Sequence, residues 1–208
     1  MITIGTIKAR GQKPRFHGNG FFQLYLDEAK TRRWHVWHPY YKPQRDHNAQ
    51  IHDHRFDMKS RILLGRLHHT TYDAHAADSI LRHGDLTHNV YEIKGASKFD
   101  ENVMHNLGAY QLERRHDYVF NTGSEYTFRR GMLHTSYVAS EELITSTVIT
   151  RSNMDKEAWA RVAVQKDVDI NDVTHAFQPE LQPSEEEAWK VMESAFNLMG
   201  YAGRRSLI

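Results

Sequence analysis

The chain has 208 residues, 39% of them hydrophobic and 25% charged, which is enough for one well-buried core with a small appendage. A formal net charge of +1 and a pI near 8.0 exclude a bulk electrostatic attraction to nucleic acid or to an anionic membrane, and no apolar run approaches the ~20 residues of a membrane-spanning helix. With no cysteine the chain has no disulfide framework, thiolate metal site or cysteine nucleophile.

The first residues, MITIGTIKARGQKPRF, lack the apolar core of a signal peptide; together with the absence of cysteine this points to the cytoplasm. Residues 20–28 (GFFQLYLDE) and 32–38 (RRWHVWH) read as two strands joined by a short turn, being rich in aromatic and β-branched residues. The stretch 39–50, PYYKPQRDHNAQ, is turn-like. Strand-like runs follow at 51–57, 59–64 and 66–73, and residues 74–89 carry no clear pattern. NVYEIKG (89–95), a polar loop through residue 106, AYQLERRHDYVFNTG (109–123), EYTFRRGMLHTSYVAS (125–140) and ELITSTVITRS (142–152) complete a series of short strands. Their spacing of roughly 8–12 residues predicts a sandwich or barrel.

Beyond Ser152 the pattern changes. Residues 155–165 (DKEAWARVAVQ) read as a short helix after a cap at Ser152 or Asn153. The segment 183–201 (PSEEEAWKVMESAFNLMGY) predicts a longer one. Ser184 and Glu187 fit the S-x-x-E capping box. Ala188, Val191, Met192, Ala195 and Met199 fall at helical spacing, and Gly200 sits where a C-cap belongs. Their apolar stripe is read as core packing or a dimer contact. The chain therefore divides into a barrel over residues 1–152 and a helical extension over residues 153–208, packed on the barrel or on a partner subunit.

Histidine is the unusual count, with 15 copies against 12 glycines and 5 prolines. Imidazole is the commonest protein metal ligand. In IHDHRFDMKSRILLGRL (51–67), His52 and His54 lie two apart, so an extended strand turns both to one side. This segment resembles the first signature of the cupin superfamily, G-x5-H-x-H-x3,4-E-x6-G. His52, His54 and Gly65 stand at the family's spacing, Met58 occupies the glutamate column, and Asp46 stands where the leading glycine would be. The second signature, G-x5-P-x-G-x2-H-x3-N, is matched by GSEYTFRRGMLHTSYV (123–138). Gly123, Gly131 and His134 are in register, while Arg129 and Val138 replace proline and asparagine. The resemblance covers roughly residues 20–150 and implies a mainly β, cupin-like double-stranded β-helix, or jelly-roll barrel, with a helical C-terminal extension.

It also implies a metal centre of His52, His54 and His134 without a carboxylate. Nitrogen ligation suits a divalent transition metal, with Fe(II) first and Ni, Mn or Zn as alternatives. Some cupins lacking the glutamate, the thiol dioxygenases among them, are similar three-histidine iron enzymes. The expected function is a metal-dependent enzyme acting on a small molecule, with non-haem iron dioxygenase or oxygenase chemistry. The alternatives are a sugar or sugar-phosphate isomerase or epimerase, or a non-catalytic ligand-binding barrel. Asp57 is the nearest spare carboxylate, but it is out of phase unless a bulge intervenes. Tyr137 and His68 are the candidate catalytic groups, although one of His68 and His69 must face inward. His35 and His38 flank an early tryptophan, and either can line the barrel. A guanidinium at the mouth would hold a carboxylate or phosphate, yet alternation from Met58 turns Arg61 away. Trp34 and Trp37 can supply an aromatic mouth. A competing ligand set, His83 and Asp85 with His134, would resemble the 2-oxoglutarate oxygenases, with Arg151 for the cosubstrate. A homodimer is expected from the edge strands and the amphipathic helix.

Overall fold

The computed structural model describes residues 3–41, 51–93, 104–139, 144–155, 157–170 and 182–201. The turn expected at 39–50 and the loop expected through residue 106 fall largely outside them. Twelve strands alternate with little else among the described residues: β1 (Arg15–His17), β2 (Phe21–Tyr25), β3 (Arg32–Trp37), β4 (Ile51–His52), β5 (Asp57–Leu64), β6 (Arg66–Ala76), β7 (His88–Ile93), β8 (Met104–Asn121), β9 (Glu125–Phe128), β10 (Leu133–Tyr137), β11 (Thr145–Ser152) and β12 (Ala160–Gln165). The helices α1 (Ile4–Ala9) and α2 (Glu185–Tyr201) flank them. One sheet has the order β1-β2-β3-β11-β5-β9, and the second closes on itself as a six-stranded barrel, β10-β4-β12-β7-β8-β6. The fold is mainly β with a C-terminal helix, consistent with the cupin-like jelly roll. No helix among the described residues is long and apolar enough to cross a membrane.

Strand alternation sorts the open sheet into two faces. Phe22, Leu24, Trp34, Val36 and Leu63 point outward into one apolar cluster with Ile4 and Ile7 of α1 and Ala188, Val191, Met192, Ala195 and Met199 of α2. The α2 stripe is core packing within this chain. Fully burying each large apolar side chain contributes roughly 1.5–3 kcal/mol, so the helix is held by its face more than by propensity. The capping box forms: Glu187 N–H donates to Ser184 Oγ at 3.2 Å, and Ser184 N–H donates to Glu187 Oε2 at 2.8 Å. The helix continues through Gly200 to Tyr201, so Gly200 does not end it. Helix α1, which no sequence pattern announced, is capped by Thr3, whose Oγ1 accepts from Thr6 N–H.

The opposite face of the open sheet looks at the barrel. Phe21, Trp37, Ile62 and Leu67 meet there, as do Phe56, Met58, Phe128 and Ile149. A separate cluster of Ile51, Val90, Leu133 and Ala163 fills the closed barrel itself. The space between the sheets is therefore distinct from the barrel lumen.

Residues 155–165 correct the sequence reading. They contain β12, paired with β7 and β4 in the middle of the closed sheet, so the barrel draws a strand from beyond residue 152. Val162 and Val164 pack to one side with Tyr91 and Ile93, while Ala163 packs to the other. That is a period of two on β-branched residues, which suits a pleated surface. Ser152 ends β11 instead of capping a helix, and the segment opens with a turn in which Asp155 Oδ1 accepts from Glu157 and Ala158 N–H, each at 3.1 Å.

Gly65 turns β5 into β6 with φ +76°, and a Cβ there would lie 2.4 Å from Thr145 Oγ1 and 2.9 Å from the Ile144 carbonyl oxygen. Left-handed backbone and a backbone collision act together. Gly65→Ala is expected to lower stability by about 2–5 kcal/mol, read as a shift of the urea midpoint at unchanged slope; a shift smaller than that of an exposed loop glycine would contradict the geometry.

Candidate metal centre

His52 ends β4, and His134 of β10 is paired directly opposite it. Strand pairing thus places two imidazoles in contact, with ring centroids 4.7 Å apart. His54, two residues on, brings its ring to 4.9 Å from His52 and 5.0 Å from His134. One ligand atom from each of the three residues lies within 4.8 Å of the others, which is within reach of a single metal ion.

Asp53, between the two ligand candidates, positions them. It is 3% exposed. Its N–H donates to the Arg161 carbonyl at 3.0 Å, and its carboxylate accepts from Arg161 N–H at 2.6 Å and Arg161 Nε at 2.7 Å. Arg161 Nη2 donates to the Gly131 carbonyl at 2.7 Å, and Gly131 N–H donates to the His54 carbonyl at 3.0 Å. Both cupin-like signatures and β12 close into one ring of hydrogen bonds. His134 Nδ1 faces the Met132 carbonyl at 2.9 Å. A carbonyl only accepts, so Nδ1 carries the proton and Nε2 keeps its lone pair, the tautomer a metal ligand needs.

Burial favours the neutral form of His54 and His134. His54 is pushed well below its ordinary range by burial and then by the charges of His52, His134, Arg33 and His35. His134 is pushed down by burial, then by His52 and His69. A neutral imidazole is the ligating form, so donor type, protonation and separation all fit a borderline divalent transition metal.

Met58 lies in the dry cluster with Phe56, Phe128 and Ile149, and Phe56 stacks on His54 at 4.8 Å. The glutamate column is thus part of an apolar floor. Asp57 does not replace it: its Oδ1 accepts from Arg130 N–H at 2.9 Å, and its Oδ2 accepts from Asn153 Nδ2 at 2.7 Å. His83 and Gly84 lie in an exposed turn whose N–H groups donate to Gln111 Oε1, and neither His83 nor Asp85 joins the histidine group among the described residues. Arg61 is exposed beside Glu125. Trp34 is fully buried under the helices and Trp37 is buried between the sheets, so neither forms an open aromatic mouth.

His68 and Tyr137 are brought together, but away from the triad. They pair across β6 and β10 and stack at 5.0 Å. Tyr137 is three residues from His134, and an odd step along a strand changes face. His69 is the inward residue of the pair, 1% exposed and stacked on His134 at 4.8 Å. Its Nδ1 shares a 2.7 Å hydrogen bond with Ser136 Oγ, and its Nε2 has no protein partner. Burial, then the His52 charge, pushes it down to about 3.

No family model matches the chain, and no curated protein does. Among solved structures the chain is similar to a crystal structure of Drosophila melanogaster CENP-C bound to CAL1, at 10% identity over 71% of this chain and 87% of that one, with a TM-score of 0.38. At that score the likeness bears on neither the fold nor the function of this chain.

Asp53→Ala removes the buried half of the clamp and is expected to cost about 2–4 kcal/mol, less than a fully enclosed pair because Arg161 keeps some water. Loss of the cobalt(II) ligand-field spectrum in the folded variant would show that the clamp also sets the histidine geometry; an unchanged spectrum would sink that role. Acid is expected to destabilise the metal-free protein. His35, His54, His69 and His134 all have folded values below the ordinary one, so the unfolded chain takes up protons first. Stability is then full above about pH 6.5 and falls toward the folded values at about 1.4 kcal/mol per pH unit per histidine. Urea melts between about pH 7 and pH 4 measure this slope, and a flat profile would contradict it.

Proposed function

We propose that the chain is a metal-dependent cupin enzyme acting on a small molecule, a non-haem iron oxygenase in which His52, His54 and His134 hold Fe(II). The observation that carries this reading is the convergence of three imidazoles, with no carboxylate among them, on one point. Three neutral ligands leave a divalent ion its full charge and open positions. When bound, iron supplies the dioxygen activation that no side chain here can provide.

The chain's own residues supply the rest. The Asp53–Arg161 clamp fixes His54, and the Met132 carbonyl fixes the tautomer of His134. Phe56, Met58 and Phe128 exclude water from one side. His69, held at Nδ1 by Ser136, takes the place first given to His68, its neutral Nε2 offering a hydrogen bond to a substrate lying beside His134. His68 and Tyr137 stabilise the far face of β6 and β10.

Protein purified without chelator or affinity-tag metal is expected to carry about one iron per chain. His52→Ala and His134→Ala should lose it while staying folded. Oxygen consumption over thiols, catechols and 2-oxoglutarate identifies the reaction type. A metal-free chain whose melting midpoint is indifferent to chelator overturns the proposal, and bound metal without oxygen uptake on any of these reduces it to a binding barrel.

A further inference from the structure

The wall facing the triad is unusually polar for a protein interior. On β3, Trp34 and Val36 face the helices, so Arg33, His35 and Trp37 face inward. Gln23 is paired with His35, and Thr147 pairs with it from the other side. Arg33 is partly buried, and its Nε has no partner in the protein. Its Nη1 donates to Gln23 Oε1 at 3.4 Å, the guanidinium is hydrogen-bonded to Tyr25 and lies over the rings of Tyr25 and Phe56 at 5.4 and 5.6 Å, and its charged neighbours are cations, Arg151 and Arg15. No carboxylate pairs with it among the described residues. Arg151 lies over the same Phe56 ring at 5.1 Å. Asp27, the acid on this side, is committed to the N–H groups of Thr31 and Arg32. His35 is 6% exposed, and its Nε2 also lacks a partner.

A guanidinium drawn out of water without an anion costs stability, and buried donors without acceptors are rare. Such groups persist where a ligand completes them. Phe56 is the shared wall: the ring that carries Arg33 also stacks on His54 at 4.8 Å, which places the guanidinium one ring away from the triad. We infer that Arg33, steadied by Gln23 and joined by His35 and Arg151, binds the carboxylate of a small organic acid whose other end lies at the three histidines. A planar carboxylate matches the fork of a single guanidinium, and His35 Nε2 is the neighbouring hydrogen-bonding group for its second edge. This deepens the proposed function and rests on it for the reaction, while the binding itself needs only Arg33 and its neighbours.

The test compares propionate, succinate and benzoate with the corresponding amides by calorimetry and ligand-observed NMR. The proteins are wild type, Arg33→Gln, Arg33→Lys and His134→Ala, each checked for folding by circular dichroism and thermal midpoint. At least one acid is expected to bind wild type about tenfold or more tightly than its amide. Arg33→Gln should abolish that preference, Arg33→Lys should keep part of it, and His134→Ala should retain it. Equal binding of acid and amide, no acid binding to folded wild type, or a preference that survives Arg33→Gln overturns the inference. A preference lost in His134→Ala and kept in Arg33→Gln places the acid on the metal, which overturns the carboxylate subsite and leaves the metal enzyme standing. The expected pattern in a protein that never carries metal leaves the subsite standing without the oxygenase.

Discussion

Asp53 holds the site together. It stands between two of the three converging histidines and makes three hydrogen bonds to Arg161, a residue 108 positions away. Arg161 then reaches Gly131, and Gly131 returns to the backbone of His54. A buried ion pair is weak evidence of net stability, because desolvation offsets its attraction. It is strong as a registry device, since only one arrangement of β4, β12 and the loop before β10 satisfies both charges. Removing that arrangement would leave His52 paired with His134 and His54 without a defined position.

The interior that results is electrically one-sided. Imidazoles kept neutral by burial face an arginine pushed down to about 10 by burial and, against the opposing pull of Tyr25, by the charges of Arg151 and Arg15. The apolar floor of Phe56, Met58, Phe128 and Ile149 lowers the local polarisability, so each charge acts more strongly than it would in water. A cation at the triad and the Arg33 guanidinium would repel each other across Phe56. A bound anion relieves that repulsion, so the two sites favour simultaneous occupation by one acidic molecule.

Much of the site was legible because it is built from short spacings. The pair His52 and His54, the Gly131-to-His134 interval and the capped, striped helix of 185–201 are local patterns with one geometric outcome. The parts that were not legible share a different cause. Residues 155–165 read as a helix because Ser152 and Asn153 offered a cap before them, yet Asp155 closes a turn and the alternating valines pair with β7. The adjoining His68 and His69 differ only in phase, and the pairing of Ser136 with His69 and Tyr137 with His68 settles which faces inward. Arg33 carried no signal at all, because its significance lies in acids that are absent around it in space.

The sequence alone determined the strands that carry His52 and His134, although His54 lies beyond the end of β4 where a strand over 51–57 was read, and, through Met58, the lack of a carboxylate where the cupin signature has glutamate. These follow from backbone periodicity and residue chemistry, which are local. Only the tertiary structure decided which histidine of an adjacent pair reaches the site, which ion pair locks it, and which arginine has no carboxylate beside it among the described residues. Burial, register and desolvation depend on residues a hundred positions apart, and no window of the chain contains both members of the Asp53–Arg161 pair.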